Sequence, residues 1–534
     1  MKKIQVLSVM AVVSTMSIVG CSGKKGSGGQ PVDSSKAQLT ISTFNGGVGS
    51  KWLKNAARAF EELNSERDDF QTGKVGVQIT VNANQVKGDL LVNGKLDHDI
   101  YFTEYVDYYT LTYQNKLLDI TDILEGENPY ETDKRIIYKI DNNALNFLNR
   151  DNHYYAVPFY DCIYGLIYDK DLFDQKRFYM KDDGTFTNDH SQFGTGPNGV
   201  AGDWDDGLPK TYEQFGSMME QMVRLQVTPY VYSSATEYTS RALVSYWSDD
   251  EGYDQTNLNY SFSGTATDLV ASVSGSEVTL SDPVAITKNN GYKLRQQVGA
   301  YNALTFAKEK LTSKSSYYNK QTSNSDAQKI FVESKYRGGS VKPVAMLIEG
   351  TWWENESASA FDSARNLGAE SFNYGFMPIP KSSADKIGKA TYVNLNSSYG
   401  FINANSSNKK LAKEFFQYLH TDASLKAFTL ETNMTRGLNY TFEESELAQV
   451  TTYAQDLMNI KQSANVDIIY PLSGETFFTS NPAVFEPEEW VWGSKNYGSD
   501  PIKKFMQNNA PTVKQYWDDR LLALTADDWR RMIG

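Results

Sequence analysis

The segment Glu349-Gly350-Thr351-Trp352-Trp353 places a carboxylate just ahead of two indoles, directly after the strand-like run 344–348. Tyr160-Asp161 sets a phenol beside a second carboxylate, and Asn45 and Glu104 stand at the tips of two more strand-like runs. The flat face of an indole or phenol covers the C–H side of a sugar ring, while Asp, Glu, Asn and Arg exchange hydrogen bonds with its hydroxyls. The chemistry these residues suit is recognition of a hydroxyl-rich solute. Composition points the same way, since 34 Tyr, 26 Phe and 9 Trp make 13% of the chain aromatic. Most of those rings must still build a core, and Tyr246-Trp247 and Trp490-Val491-Trp492 read as structural. Of the tandem pair, Trp352 is expected to face a cleft and Trp353 to pack. Glu349 has a competing structural reading as half of an ion pair.

Other chemistries are disfavoured by what the chain contains. A formal net charge of -13 over 534 residues argues against a nucleic-acid or anionic-membrane binder, which needs clustered Lys and Arg. Two cysteines, Cys21 and Cys162, cannot build a disulfide framework or a cysteine-rich zinc site. Cys162, with no adjacent His or basic residue, reads as a small buried apolar group. His98, His153, His190 and His420 form no i,i+3 or i,i+4 pair that would suit a metal. Gly46-Gly47-Val48-Gly49 matches neither GxGxxG nor the P-loop pattern, so its expected use is close backbone approach to a ligand rather than a nucleotide cradle. Asp203, Asp205 and Asp206 with Gly207 offer oxygen ligands for calcium, but the EF-hand register fails at Gly207 and the plainer reading is a solvated acidic loop. The sequence requires no metal and no cofactor.

The elements that must position these residues alternate in type. Residues 39–44, 77–81 and 99–102 read as strands, and Trp52, Leu53, Ala56, Phe60 and Leu63 mark a helix between the first two. Strand, helix, strand predicts a parallel sheet in an α/β lobe. Single cores stop growing at roughly 250–300 residues, so the chain needs more than one lobe. Residues 156–159 and 164–168 bracket a crossing to the second. The stretch 175–210, rich in Gly, Asp and Asn, reads as a surface insertion; helical patterns follow at 211–226 and at Leu411, Phe415 and Leu419. Residues 496–531 close the chain with mixed helical material, and no long repeat is present. At the start, Lys2-Lys3 precede the apolar run 4–19, which is short for a bilayer span but right for an export signal. Ile18-Val19-Gly20-Cys21 is similar to a bacterial lipobox, with Cys21 as the lipidated residue and the Gly/Ser/Lys run behind it as a flexible tether.

Taken together, six segments resemble the carbohydrate-type extracellular solute-binding proteins of bacterial ABC importers, the family 1 solute-binding lipoproteins. Phe44-Asn45-Gly46-Gly47 followed by Trp52 to Phe60 resembles that family's opening strand and helix. Val157-Pro158-Phe159 and then Tyr164-Gly165-Leu166-Ile167-Tyr168-Asp169-Lys170-Asp171-Leu172-Phe173 resemble its P…G…YNKDLF segment, with Asp169 where Asn is usual. Pro209-Lys210-Thr211-Tyr212-Glu213-Gln214-Phe215 is similar to P-x-T-W-x-E-F, with Tyr212 in place of Trp. Ala345-Met346 through Gly350-Thr351-Trp352 matches AM…G-x-W, and Pro378-Ile379-Pro380 the P-x-P stretch after it. Gly400-Phe401-Ile402 with Asn408-Lys409-Lys410-Leu411-Ala412-Lys413-Glu414-Phe415 completes the series.

The resemblance implies a type II, two-lobe, periplasmic-binding-protein-like α/β fold with an inter-lobe hinge and a ligand cleft. It adds Arg436 to the candidate cleft residues, against a competing reading as a salt bridge. The implied division is signal peptide 1–20, tether 21–38, lobe 1 from 39–157 and 398–440, lobe 2 with its insertions from 158–397, and a C-terminal helical region 441–534 packing on lobe 2. The implied function is a monomeric, lipid-anchored receptor on the outer face of the cell membrane. It captures a carbohydrate, an oligosaccharide, and delivers it to the transmembrane subunits of an ABC permease, without catalysis and without binding nucleic acid. Two alternatives stand beside it: a surface glycoside hydrolase, which also needs aromatics and paired carboxylates, and a sugar-binding adhesin with no permease.

Overall fold

The computed structural model describes residues 31–84, 86–233, 235–275, 277–321, 323–471 and 491–533. The export signal, Cys21 and Trp490 lie outside these residues.

In chain order the strands begin with β1 (Ala37–Phe44), β2 (Val77–Asn84), β3 (Ile100–Thr103), β4 (Ala156–Pro158), β5 (Tyr164–Asp169) and β6 (Thr228–Ser233). Four short strands follow, β7 (Gly264–Ala266), β8 (Val270–Ser274), β9 (Glu277–Leu280) and β10 (Val284–Ile286), paired β7 with β10 and β8 with β9. The series ends with β11 (Tyr318–Gln321), β12 (Val344–Gly350), β13 (Tyr374–Met377), β14 (Ala390–Val393), β15 (Tyr399–Ile402) and β16 (Val466–Ile469).

Two five-stranded sheets form the cores of two lobes, in the orders β2-β1-β3-β15-β4 and β11-β6-β12-β5-β13. In the first, Leu39 and Ile41 of β1 point to the core in period two. The helix Lys51–Leu63 covers that sheet with Trp52, Leu53, Ala57 and Phe60. Leu63, counted by spacing on that apolar face, is exposed in the last turn. β1 also begins at Ala37, two residues ahead of the expected start, because it pairs with β2 along its whole length.

The sheets correct the expectation of uniformly parallel strands. β15 runs antiparallel to β3 and β4, and β5 runs antiparallel to β12 and β13. Each reversed strand is the one that enters its lobe from a crossing. It starts at the edge where its neighbours end, so its direction is inverted.

The chain passes between the lobes three times: at 159–163 between β4 and β5, at 394–398 between β14 and β15, and at 433–451. The third passage joins the helix Asp422–Thr432, packed on the helix Lys51–Leu63, to the helix Thr452–Gln462, packed on β13. Backbone hydrogen bonds tie the passages into one ribbon: Phe159 N–H donates to Ser398 (2.9 Å), Asp161 N–H to Thr435 (3.0 Å) and Leu395 N–H to Cys162 (3.2 Å). Cys162 itself is wholly buried there.

Lobe 2 also carries a long helix, Thr236–Ser261, which runs against β5, β6, β12 and β14 and breaks its helical angles at Gly252 (φ 74°). C-terminal rings close on this side of the molecule: Trp492 against Trp247, Trp517 against Tyr301, and Trp529 against Phe262. The stretch 175–210 is not a pure surface insertion. Phe178, Tyr179, Met180 and Leu208 are buried, and Pro197 accepts a hydrogen bond from Gly388 N–H at 3.1 Å, so the segment is docked on lobe 2.

Candidate functional site

Where the lobes face each other, a cationic side chain from one reaches a phenol of the other. Arg241 projects from the helix Thr236–Ser261, and its Nη1 lies 2.7 Å from the Tyr105 hydroxyl, just after β3 in lobe 1. The same nitrogen lies 2.7 Å from both Tyr164 Oη at the start of β5 and Asn396 Oδ1 in the second passage. Tyr164 Oη in turn donates to Asn396 Oδ1 at 3.0 Å. One guanidinium therefore ties together both lobes and the ribbon between them.

Trp352 forms the second contact. Its ring stands edge-on to Tyr164 (centroids 5.0 Å apart, 84° between planes) and 6.0 Å from Tyr238. Lobe 1 meets this indole at Gly47, where an added Cβ would fall 2.3 Å from Trp352 Cδ1, so only glycine permits the approach. Asn355 Nδ2 donates to the Gly47 carbonyl alongside it. The glycine loop's close approach is thus to an aromatic side chain of the opposite lobe. Asn45, two residues ahead of Gly47 in the chain, is exposed.

Three carboxylates line the same region. Glu349 near the end of β12 is buried, with Oε1 accepting from Gln328 Nε2 at 2.9 Å and Oε2 from Gly350 N–H at 2.8 Å. Gln328 Nε2 also lies 2.7 Å from Glu356 Oε2, so one amide bridges two acids. Burial, and then the charge of Glu356, push Glu349 well above the ordinary carboxyl range, and burial raises Glu356 as well. Glu104 accepts the hydroxyl proton of Tyr160; burial raises its pKa and that hydrogen bond partly offsets the rise.

The remaining expected site residues turn inward. Asp161 is 1% exposed and fully engaged by Lys461 Nζ (3.0 Å), Tyr470 Oη (2.7 Å) and Thr435 Oγ1 (2.6 Å), which makes it a clasp between passages rather than a free hydrogen-bond partner. Trp353 packs, as expected of the second indole of the pair: it is wholly buried among Phe331, Phe361, Tyr374 and Tyr453, with no face for a ligand. Arg436 is neither a cleft residue nor a salt bridge. Its Nε donates to the Phe159 carbonyl at 2.6 Å, its Nη2 to His420 Nε2 at 3.0 Å, and the rings of Trp52, Phe102, Phe159 and Phe428 surround it. Burial lowers Arg436 to about 10 and His420 well below its usual value. The His420 imidazole therefore stays neutral, with its Nδ1 proton donated to Phe416 O at 2.6 Å. The acidic stretch at 203–206 is not simply solvated either: Asp205 is wholly buried, and burial pushes it up to about 8.

Glu104 and Tyr160 are thus brought into direct contact, Glu349 and Trp352 stand on the lobe 2 side, and Asn45 directly follows β1 on the lobe 1 side. Arg241, Tyr105, Tyr164, Tyr238, Asn396, Gln328 and Glu356 complete the region without having been singled out from sequence. A signal existed for Arg241, the one basic residue in its 26-residue helix, set between Ser240 and the apolar run Ala242-Leu243-Val244.

The model of the bacterial extracellular solute-binding protein family matches residues 52–426, well over half the chain. Among solved structures, the chain is similar to the GacH receptor of Streptomyces glaucescens at 12% identity, covering 93% of this chain and 98% of that one with a TM-score of 0.56. It is also similar to RafE from Streptococcus pneumoniae (14% identity, 94% and 100% covered, TM-score 0.53) and to the bacterial solute receptor AcbH (14% identity, 94% and 99% covered, TM-score 0.53). At such identities the likeness shows the fold. No curated protein sequence matches this chain. With two sheet-centred lobes, three passages between them and a family match over residues 52–426, the chain belongs to the bacterial extracellular solute-binding proteins.

Proposed function

We propose that this protein is a lipid-anchored receptor that closes around a carbohydrate, an oligosaccharide, and hands it to the transmembrane subunits of an ABC importer. The observation that carries the reading is the inter-lobe cluster in which Trp352, Tyr164 and Tyr238 stand beside Glu349, Glu356, Gln328 and Arg241. Aromatic plates rimmed by carboxylate, amide and guanidinium groups are what a sugar's two chemical faces require. Solved relatives of the same fold support that choice, since RafE is described with raffinose, GacH with acarbose, and AcbH with a preference for β-D-galactopyranose.

In this reading the ribbon of passages is the hinge, and the contacts of Arg241 with Tyr105 and of Asn355 with Gly47 are made on closure and broken on opening. A sugar that bridges the lobes shifts that equilibrium by its differential affinity for the closed form, and the permease reads the result. Trp352 and Tyr238 supply the plates, while Asn45, Glu104 and Glu349 exchange hydrogen bonds with hydroxyls. Cys21 carries the lipid and the following tether holds the body at the outer face of the membrane. No reaction is required, in keeping with a family and solved neighbours that are binding proteins.

The test is thermal unfolding and titration calorimetry with raffinose, maltotriose, acarbose and galactose, with the sugar assayed afterwards. One of them is expected to bind one per chain, raise Tm by several degrees and return intact. At a hundredfold excess over Kd, mass action stabilises the fold by about 2.7 kcal/mol. Release of reducing sugar would make the protein a hydrolase. Stabilisation by a peptide mixture and by none of the sugars would overturn the carbohydrate reading.

A further inference from the structure

Lobe 2 holds a second polar cluster, remote in sequence from the inter-lobe residues. Asp203, Asp205 and Asp206 lie just before the helix Tyr212–Arg224, and one carboxylate oxygen of each falls within 4.8 Å of the other two. Asp205 is 0% exposed; its Oδ2 accepts from Asn198 N–H at 3.0 Å, but its Oδ1 is buried with no hydrogen-bond partner. Asp206 repeats the pattern, with Oδ2 accepting from Gly202 N–H at 2.7 Å and Oδ1 buried and unpartnered.

Buried carboxyl oxygens are paired with a cation, coordinate a metal or take up a proton, because leaving them bare and charged is costly. Among the described residues no lysine pairs with these acids, and Lys389, which lines the same pocket as Asp205, forms no ion pair with any of the three. Lys381, on the adjoining wall, is held by both oxygens of Asp249 at 2.7 and 2.9 Å, and Lys210 is taken by Asp182. The backbone is shaped around the acids as well. A Cβ at Gly196, whose φ is +58°, would fall 2.6 Å from Asp205 Cγ and 2.7 Å from its Oδ2.

We propose that Asp203, Asp205 and Asp206 bind a divalent cation, calcium, with the two unpartnered oxygens among its ligands. The donor set is all hard oxygen, which suits calcium or magnesium and disfavours zinc or copper. Magnesium holds its waters and is usually bound by one or two carboxylates in a near-ideal octahedron, whereas calcium takes more oxygen ligands in irregular shells, which suits three carboxylates gathered on one short turn. The ion would act as a staple. Pro197 O already accepts from Gly388 N–H, and Thr211 pairs with Lys381, so the segment that ends at these aspartates is docked on the 381–390 loop leading into β14 and the second passage.

The test uses the purified full chain stripped with EGTA. Titration with calcium chloride is expected to show one ion per chain and to raise Tm by several degrees, with at least tenfold weaker binding of magnesium. Terbium is expected to give luminescence sensitised by Trp204, which sits between Asp203 and Asp205 in the chain. Asp205→Asn is expected to lose at least tenfold in calcium affinity yet match or exceed the wild-type Tm in EGTA, because the amide relieves the crowding of three carboxyl groups left without an ion. Asp203→Asn provides a second variant should Asp205→Asn fold poorly. Failure of the stripped wild type to bind calcium, an affinity unchanged in both variants, or magnesium binding as tight as calcium would each overturn the proposal. Sugar binding enters none of these readouts.

Discussion

Two buried carboxylates, each 1% exposed, are treated in opposite ways by this fold. Asp161, in the first passage, has a lysine, a phenol and a hydroxyl around it, all within 3.0 Å. Glu349, on the wall between the lobes, has an amide it shares with Glu356 and its own neighbouring N–H, and its pKa is driven upward. The first arrangement is complete and holds chain to chain. The second lacks a cation and keeps hydrogen-bonding capacity in reserve, which is what a wall that receives a ligand needs. Burial alone does not distinguish the two; the partners do.

The contrast can be broken most sharply at the clasp. Asp161→Ala leaves the buried Lys461 ammonium without a counter-charge, with only the Tyr470 hydroxyl at 3.2 Å beside it, and is expected to cost about 3–5 kcal/mol in denaturant unfolding; a loss below about 1 kcal/mol would mean the passages are held by something else. At the facing wall, Trp352→Ala is expected to weaken the stabilising sugar by at least about 2 kcal/mol, roughly thirtyfold, in calorimetry.

A pH series sharpens the carboxylate side. A carboxyl whose folded pKa is raised binds more protons native than unfolded, so its stabilising effect is complete below the ordinary carboxyl range and is lost as pH rises through the folded value. Glu349, together with Glu354, which burial pushes up to about 7, should make the unliganded protein less stable at pH 8 than at pH 5. Glu349→Gln is expected to flatten that profile in thermal unfolding, since each tenfold difference in proton affinity between the folded and unfolded carboxyl is worth about 1.4 kcal/mol and the amide has no proton to lose. The smallest effect belongs to Lys413→Ala, whose partner Asp122 at 2.6 Å is largely exposed. It should cost under about 1 kcal/mol, and a larger loss would show that charge pairing, rather than the burial of the pair, sets Asp161 apart.

Much of the fold was legible because it rests on local periodicity. β1, β2 and the helix Lys51–Leu63 display their buried faces in the spacing of Leu39, Ile41, Trp52, Leu53 and Phe60. The helix Thr236–Ser261 was not legible, because it is buried on several sides against β5, β6, β12 and β14 and shows no apolar stripe. Arg241 was lost with it. The site was half legible for a related reason. Loop position suggested Glu104, Tyr160 and Trp352, but position in the chain does not reveal which way a side chain turns. Arg436 stands beside a cleft-facing element and points into the core, where four rings surround it.

The reversed strand β15 has a consequence for the order in which the protein is made. It fills the gap between β3 and β4, yet it follows them by more than two hundred residues. A polypeptide emerging N-terminus first therefore carries β3 with a bare hydrogen-bonding edge until residue 402 is clear. During that interval the half-made sheet offers neighbouring chains a template for pairing. A receptor with two sequence-continuous lobes would instead close that edge while the same lobe was being made.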